Sequence, residues 1–331
     1  MKKILVSGSE GYIGQHLIEL LLESGHEVIG CDLCWYDRAF VHDKVGGYEI
    51  LKVDFDDLTN QDLRGVDVVC HLAAISNDPM GDLDPGITSE INERKTIAFA
   101  EKCASWGVKQ FVFSSSCSVY GEATEDIVRE GSDLNPVSLY AETKVLVEKA
   151  LAKLNNDTFS TTCLRNATAY GHSRNLRLDL VINDFVSTAH VTGGIKMLSD
   201  GQAHRPLVHC RDIARAFVAT IESDIRKTNG LIVNVGPSDA NLKVADMARL
   251  VQSEFGDCFL EIGDGAGKDA RDYAVDFGLF SRTFPSFEFE YSLEAGIKAL
   301  RESLDLFNFS DSDRSSGRFK RLLLLKEALS L

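Results

Sequence analysis

The chain has 331 residues, 44% of them hydrophobic, with a formal net charge of −15 and a pI near 5.0. This is enough to build one large domain or two modest ones, and no stretch reaches the length needed to span a bilayer. The acidity argues against a nucleic-acid binder, which needs a basic surface, and indicates a well-solvated protein.

The N-terminus and the cysteines predict a cytoplasmic protein. The first apolar run, Ile4-Leu5-Val6, is too short for a secretory signal, and no small-residue cleavage site follows it. Eight cysteines are scattered through apolar segments, which is typical of buried thiols in a reducing compartment. Only Cys31 and Cys34 lie close together, and no second pair accompanies them, so we expect no metal site.

Apolar strands alternate with helical spacing through the first half of the chain. Such alternation predicts parallel βαβ units with right-handed crossovers. The predicted strands are Lys3–Ser7, Glu27–Cys31, Tyr48–Val53, Val66–Leu72, Gln110–Ser114 and Ser160–Leu164. The predicted helices run from Tyr12 to Ser24, from about Ile87 to Trp106, and from Ser138, a plausible cap, through Leu151.

Beyond Gly171 the elements become shorter and predict a smaller lobe interleaved with the last pieces of the sheet. Ser310–Gly317 has the composition of a linker, and Phe319–Leu331 could dock as a helix or remain loose. Helices are expected near Leu180–Val191, Arg211–Ile221, Val244–Glu254 and Ser292–Phe307, and strands near Ile195–Leu198 and Leu231–Val235.

A glycine-rich turn, Gly8-Ser-Glu-Gly11-Tyr-Ile-Gly14, separates the first predicted strand from the first helix. Gly8 permits a tight turn, Gly11 lets the backbone approach a pyrophosphate, and Gly14 lets the helix pack on the strand. Asp32 ends the second strand, where a carboxylate accepts both ribose hydroxyls and repels a 2′-phosphate. The turn therefore predicts a dinucleotide site, and Asp32 favours NAD over NADP.

Tyr140 and Lys144 are four residues apart and so share one face of a predicted helix. A lysine ammonium there can favour the phenolate form of a tyrosine, whose ordinary pKa is about 10. The run Ser114–Ser116 could supply a hydrogen-bonding hydroxyl. The spacing alone is common on exposed helices, but the glycine turn and Asp32 make the pair a candidate active site.

In this order the motifs resemble those of the extended short-chain dehydrogenase/reductases, in the group of NAD-dependent nucleotide-sugar epimerases and dehydratases. The resemblance covers about residues 1–305. It implies an α/β fold with a Rossmann-type doubly wound parallel sheet and the catalytic helix in residues 1–170. A nucleotide-sugar lobe would occupy residues 171–307, and a linker and tail residues 308–331. Further matching segments are Asp54, His71–Ala74, Asn92, Ser114–Gly121, Arg205–Asp212 and Asn234–Gly236.

The same resemblance implies a role for each matching residue. Tyr140 would be the general base, Lys144 would lower its pKa and hold the nicotinamide ribose, and Ser116 would hydrogen-bond the same sugar oxygen. Asp54 would reach the adenine. The implied NAD contacts are Gly8, Gly11, Tyr12, Ile13, Gly14, Asp32, Asp54, Phe55, Leu72, Ala73, Ala74, Ser114, Tyr140 and Lys144. The implied contacts of the nucleotide-diphosphate sugar are Ser116, Tyr140, Asn166, Thr168, Arg205 and Arg271.

Two positions after the serine run distinguish activities within the group. Dehydratases carry an Asp-Glu pair there and decarboxylases a glutamate, whereas this chain has Cys117 and Ser118. Because Cys117 is one residue from the position that some epimerases use, it should point to the opposite face of the strand and pack inside. The segment is most similar to that of the 4-epimerases, which oxidise the sugar, rotate the keto intermediate and return the hydride.

Several alternatives stay open. Within enzymes, a ketoreductase or dehydrogenase that exchanges its cofactor each cycle is the alternative, and outside them a non-catalytic dinucleotide-sensing protein. Thr168 replaces the family's usual asparagine, which leaves the sugar open. Arg205 and Arg271 could instead form surface salt bridges, and Arg174 and Arg177 could also meet phosphate. The family implies a homodimer through the helices around Ile87–Trp106 and Ser138–Leu154.

Overall fold

A computed structural model describes residues 1–76, 80, 83–264 and 272–329. Its strands are β1 Lys3–Ser7, β2 Glu27–Cys31, β3 Glu49–Leu51, β4 Val68–His71, β5 Gln110–Ser116, β6 Glu122–Val128, β7 Ser160–Asn166, β8 Thr168–Tyr170, β9 Gly194–Met197, β10 His204–His209, β11 Leu231–Val235, β12 Asn241–Lys243, β13 Phe259–Ile262 and β14 Asp272–Val275. Its helices are α1 Gly14–Glu23, α2 Pro85–Ser89, α3 Thr96–Ser105, α4 Leu139–Leu154, α5 Val181–Thr192, α6 Cys210–Glu222, α7 Ile225–Thr228, α8 Val244–Phe255, α9 Gly278–Thr283, α10 Leu293–Phe307, α11 Asp311–Ser315 and α12 Arg321–Leu329.

The central sheet has seven parallel strands in the order β3-β2-β1-β4-β5-β7-β11. Helices cover both faces, so the strands are nearly continuous apolar runs such as the buried Ile4–Val6 of β1. The strand order reverses between β1 and β4, and ligands of open α/β sheets bind outside the carboxyl ends of the strands at such a point. The predicted doubly wound α/β fold is confirmed.

The elements after residue 171 divide between two places. Strand β11 returns to the central sheet and pairs with β7, while β8, β10 and β12 form a separate sheet. Helices α5, α8 and α10 pack around a second apolar core that includes Ile182, Met247 and Leu300. The strands β9 and β13 pair with each other, as do β6 and β14.

The prediction of a linker at Ser310–Gly317 is wrong for most of that segment. Helix α11 begins at a capping box: Ser310 Oγ accepts from Asp313 N at 3.3 Å, and Asp313 Oδ2 accepts from Ser310 N at 3.0 Å. Serine and aspartate favour helix caps as well as loops, so composition alone does not separate the two. The tail beyond it docks as helix α12.

The other boundaries differ by a few residues. Strands β5 and β7 run two residues further than predicted, to Ser116 and Asn166, and a π-helical turn, Glu90–Lys95, separates α2 from α3. Ser138 caps α4 as predicted, with its Oγ accepting from Ala141 N. Within the described ranges, no helix is long and apolar enough to cross a membrane.

Candidate active site

A cleft of about 1530 Å³ lies at the carboxyl ends of the strands. Its walls come from the glycine turn, the ends of β2, β4 and β5, the start of α4, the smaller lobe and the first residues of α12. Sites for one drug-sized ligand usually measure about 300–1,000 Å³. The cleft therefore has room for a dinucleotide and a second ligand.

The glycine turn is shaped by contacts that exclude side chains. Gly8 has a φ of +76°, and a Cβ there would lie 2.8 Å from Ala73 N. A Cβ at Gly14 would lie 2.1 Å from Gly8 O, so the first turn of α1 packs directly on the strand end. Ile13 caps α1 without a side-chain hydrogen bond, and no acidic residue lies in its first turn. The backbone N–H groups at the start of α1 can donate hydrogen bonds to an anion.

Asp32 lies at the end of β2 and lines the cleft beside that turn. Its Oδ2 accepts from Glu10 N at 3.0 Å, and its Oδ1 accepts from Cys34 N at 2.7 Å. Burial raises the pKa of Asp32 to about 6, although the two backbone donors oppose the shift. A pair of ribose hydroxyls could donate to the remaining lone pairs of this carboxylate.

The remaining predicted cofactor residues also line the cleft. Asp54 Oδ2 forms an ion pair with Lys95 Nζ at 2.6 Å, and its Oδ1 accepts from Asp56 N at 3.1 Å. The adenine contact predicted for Asp54 would thus share a carboxylate that is already engaged. The other predicted residues on this wall are Tyr12, Ile13, Phe55, Leu72, Ala73 and Ala74.

Asn92 does not line the cleft but supports it from behind. Its Oδ1 accepts from Ile75 N at 2.8 Å, and its Nδ2 donates to Ile75 O at 2.9 Å. Both bonds are buried and hold the π-helical turn to the loop after β4. Since that loop contains Ala73 and Ala74, Asn92 helps to fix the cofactor side of the cleft.

Tyr140 and Lys144 lie in the cleft wall on the first two turns of α4. Lys144 Nζ donates to Ser114 O at 2.8 Å and lies 5.5 Å from the centre of the Tyr140 ring. Burial lowers the pKa of Lys144 to about 8, against the opposing effect of the Glu148 carboxylate. The structure therefore places an ammonium close to a tyrosine, as the spacing predicts.

Ser116 and Ser118 line the cleft, whereas Cys117 does not. Ser116 Oγ accepts from Ser118 N at 3.1 Å, and Ser118 Oγ has no hydrogen-bond partner among the described residues. Cys117 is 1% exposed, and its Sγ donates to Arg165 O at 3.1 Å. The prediction that Cys117 packs inside is confirmed, although these residues form a 3₁₀ turn rather than extended strand.

The predicted substrate residues fall on two sides of the cleft. Asn166, on β7, donates to Ser114 Oγ at 3.1 Å, and its Oδ1 has no partner within the described part of the chain. Thr168 and Arg205 line the cleft from the second sheet, on β8 and β10, and Arg205 is 7% exposed. Arg271 lies outside the described residues, so its predicted contact stays a prediction.

A buried ion pair lies beneath the serine run. Arg165 donates from Nε and Nη2 to the two oxygens of Glu148 at 3.0 and 2.7 Å. Ser115 donates to the same carboxylate at 2.5 Å, and Arg165 Nη1 donates to Tyr120 Oη at 3.0 Å. Both side chains of the pair are at most 4% exposed. This network fixes the end of β5, where the catalytic candidates begin.

Arg177 and Arg321 both line the cleft, although neither is among the substrate contacts that the sequence predicts. Arg177 forms an ion pair with Asp179 at 2.8 Å and donates to Ser76 Oγ at 3.1 Å, whereas Arg174 pairs with Glu19 at 2.7 Å away from the cleft wall. Arg321, on α12, was missed altogether. The basic-apolar pattern of the tail was its only sequence signal.

Comparison with known proteins agrees with this geometry. The profile of the NAD dependent epimerase/dehydratase family matches residues 4–236. A UDP-glucose 4-epimerase of Lactobacillus helveticus is 27% identical over 271 residues, which cover 75% of this chain and 81% of that protein. That protein is a relative at low identity.

Two solved structures share the fold. TunA, a novel NAD-dependent NDP-hexosamine 5,6-dehydratase involved in tunicamycin biosynthesis, superposes with a TM-score of 0.80 at 24% identity, covering 92% of this chain and 98% of that one. MoeE5, solved with UDP-glucuronic acid and NAD, has a TM-score of 0.78 at 24% identity, covering 92% and 99%.

The chain belongs to the NAD-dependent epimerase/dehydratase family, and it is an enzyme of the extended short-chain dehydrogenase/reductase type. Its cofactor is NAD. The residues present fit that group, because the glycine turn offers bare backbone where a Cβ would collide and Asp32 lies at the end of the adjacent strand.

Proposed function

We propose that this chain is a nucleotide-sugar epimerase that inverts C4 of a sugar attached to a nucleoside diphosphate. The observation that carries the proposal is that Ser116, Tyr140 and Lys144 line one cleft with the glycine turn. Neutral Ser118 lies where other activities of the family would need an acid. The similarity to curated UDP-glucose 4-epimerases supports the same reaction.

The chemistry assigned to the side chains is a proton transfer at one sugar hydroxyl. Tyr140, as phenolate, would take the proton of that hydroxyl, and Ser116 would donate a hydrogen bond to the same oxygen. Lys144 would keep the phenolate available through its charge. NAD, when bound, would accept the hydride of the sugar carbon and later return it to the other face. The net redox change is zero.

The nucleoside diphosphate would lie against the smaller lobe, residues 171–307. Arg205 is a buried guanidinium on that wall, and its planar donors suit a phosphate. Thr168 offers a donor in the same cleft, and Oδ1 of Asn166, which has no partner among the described residues, offers an acceptor. Together with Ser116 and Tyr140, these residues form the proposed substrate site.

Neutral side chains beside the catalytic group disfavour water elimination. A dehydratase needs an acid for the leaving hydroxyl and a base for the adjacent carbon. Cys117 is buried away from the cleft, and burial raises its pKa above the usual range, so no thiolate is available there. Ser118 cannot act as a carboxylate acid. This supports epimerisation over elimination.

The test begins with the purified protein denatured and its released nucleotide identified. We expect about one NAD per chain, and interconversion of a UDP-hexose with its C4 epimer. A substrate deuterated at C4 should keep its label in the product, because the hydride leaves and returns within one site. Consumption of NADPH against keto sugars by a protein that holds no nucleotide would instead support the ketoreductase.

We also propose a homodimer built on the helices α2, α3 and α4, as the family resemblance implies. Leu146 on α4 is 42% exposed, which leaves an apolar side chain at the surface of that helix. Light scattering after size exclusion should give twice the chain mass of 36.4 kDa. Leu146→Glu should shift the protein toward the monomer, and an unchanged monomeric mass in the unmutated protein would contradict the proposal.

A further inference from the structure

The last segment of the chain forms part of the cofactor cleft. We call residues Phe309–Leu329 the C-terminal strap. Lys320 to Leu323 line the cleft, and Phe319 and Leu325 are each 1% exposed. Leu178 N donates to Phe319 O at 2.9 Å, which ties the strap to the start of the smaller lobe. The strap is therefore packed onto the site rather than trailing from the body.

Arg321 is a buried residue of the strap that also lines the cleft. It is 2% exposed, and its guanidinium lies 4.4 Å from the centre of the Tyr36 ring. Its Nη2 donates to Asn175 Oδ1 at 2.5 Å and to Asn175 O at 3.3 Å. Its Nη1 is buried and has no acceptor in the part of the chain that the structure describes.

An arginine with a purely structural role looks different in this protein. Arg165, equally buried, donates from Nε, Nη1 and Nη2 to Glu148, Tyr120 and Glu130. Leaving a buried donor without an acceptor costs about 1–3 kcal/mol, and more when the group is charged. Arg321, by contrast, keeps a buried donor for which the described residues supply no acceptor.

A second guanidinium group and two carboxylates lie around Arg321. Its neighbour Arg177 already uses Asp179 through two hydrogen bonds, at 3.2 and 2.8 Å. Two guanidinium groups thus share one adjacent carboxylate, with Asp32 as a further acid nearby. Burial, followed by the charge of Arg177, lowers the pKa of Arg321 to about 10, so the group stays cationic at neutral pH.

Arg321 is also connected to the glycine turn. Asn175 accepts from Arg321 and donates from Nδ2 to Glu10 O at 2.7 Å. Glu10 N in turn donates to Asp32 Oδ2 at 3.0 Å. Glu10 lies between Gly8 and Gly11, so this relay joins the strap to the backbone that faces the dinucleotide diphosphate. Movement of α12 would therefore disturb the glycine turn and Asp32.

We propose that Arg321 is a cofactor-retention residue. Its positive charge attracts the dianionic diphosphate of NAD, and its bonds to Asn175 hold the glycine turn in the binding shape. The docked strap keeps NAD in place, and NAD leaves slowly for that reason. This role concerns cofactor binding alone and does not depend on which sugar reacts.

The test compares NAD content and the rate of NAD dissociation in Arg321→Met and in a matched control. Loss of one charged hydrogen bond is worth about 1.5–3 kcal/mol, or roughly 10- to 100-fold. We expect NAD to dissociate about that much faster from Arg321→Met. Lys326→Met removes one positive charge from the same helix outside the cleft wall, and it should match the unmutated protein.

Trypsin sensitivity at Arg318 and Lys320 reports whether the strap stays docked. If Arg321→Met undocks it, Arg321→Lys keeps the charge and decides the matter: NAD retention close to that of the unmutated protein supports the proposal. Retention of NAD by Arg321→Met at the unmutated rate overturns it. So does equal loss from Arg321→Lys with the strap still protected, since charge would then play no part.

Discussion

The ammonium of Lys144 lies 5.5 Å from the centre of the Tyr140 ring, and a bond to Ser114 O at 2.8 Å holds it there. The backbone carbonyl at the end of β5 thus fixes the lysine, and α4 fixes the tyrosine. Ser138 caps that helix, so Tyr140 falls in its first turn. The proposed base and its cation are therefore positioned by two different elements of the central fold.

Tyr140→Phe should abolish most of the turnover while NAD stays bound. Removing a general base costs typically about 10²–10⁴-fold in rate. The ring remains, so the fold and the cofactor site should be unchanged. The measurement is kcat with a UDP-hexose beside the NAD content of the purified variant.

Tyr291→Phe is the matched control for this change. Its ring stacks on His209 at 3.8 Å, outside the cleft wall, and phenylalanine keeps that contact. We expect normal turnover from this variant. A Tyr140→Phe enzyme that is equally active would remove Tyr140 from the mechanism.

Turnover should fall as the pH rises through about 8. Burial lowers the pKa of Lys144 to about 8, so its proton and charge are present below that pH and absent above it. Without the charge, the attraction that favours the Tyr140 phenolate is lost. The profile of kcat against pH between 6 and 10 measures this. Lys144→Arg should remove the descending limb near pH 8, because guanidinium does not titrate there.

NAD affinity should weaken as the pH falls below about 6. Burial raises the pKa of Asp32 to about 6, and ribose hydroxyls make stronger hydrogen bonds to the ionised carboxylate than to the protonated acid. Each pH unit below that value should cost up to tenfold in the dissociation constant. Titration calorimetry of NAD-stripped protein between pH 5 and 8 measures the effect. Asp32→Asn should bind weakly and without this dependence, and a flat profile for the unmutated protein would count against the assigned contact.

Local patterns in the sequence were sufficient to predict the central sheet, but they did not predict how the C-terminal strap contacts it. The glycine turn, Asp32 and the Tyr140–Lys144 spacing are each set within one βαβ unit, so chain order alone predicts their meeting. Arg321 and Asn175 are 146 residues apart in the sequence, and a contact over that separation produces no periodic pattern of residues from which it could be predicted. Ser310–Gly317 shows the same limit, because a capping box and a linker use the same residue types.

Arg165→Met should be among the most destabilising single changes in the chain. It leaves Glu148 buried without its cation, and breaking such a pair costs about 3–5 kcal/mol. Urea unfolding measures the loss, and Arg165→Met with Glu148→Leu should recover much of it. Lys196→Met breaks the exposed pair with Glu261 at 2.8 Å and should change stability by less than about 1 kcal/mol. Equal effects of the two single changes would contradict the burial argument.

Gly8→Ala and Gly25→Ala separate backbone strain from the shape of the cofactor site. Both glycines have positive φ, +76° and +75°, so each alanine should cost about 1–2 kcal/mol in stability. A Cβ at Gly25 meets nothing within 4 Å, whereas one at Gly8 lies 2.8 Å from Ala73 N. Gly8→Ala must therefore push the turn away from the loop after β4, and it should also lose NAD. Thermal unfolding measures the loss of stability that the two variants should share, and the NAD content of each purified variant measures the loss of cofactor expected only for Gly8→Ala. If Gly25→Ala lost NAD to the same extent, backbone strain rather than the close approach to Ala73 would explain the glycine at position 8.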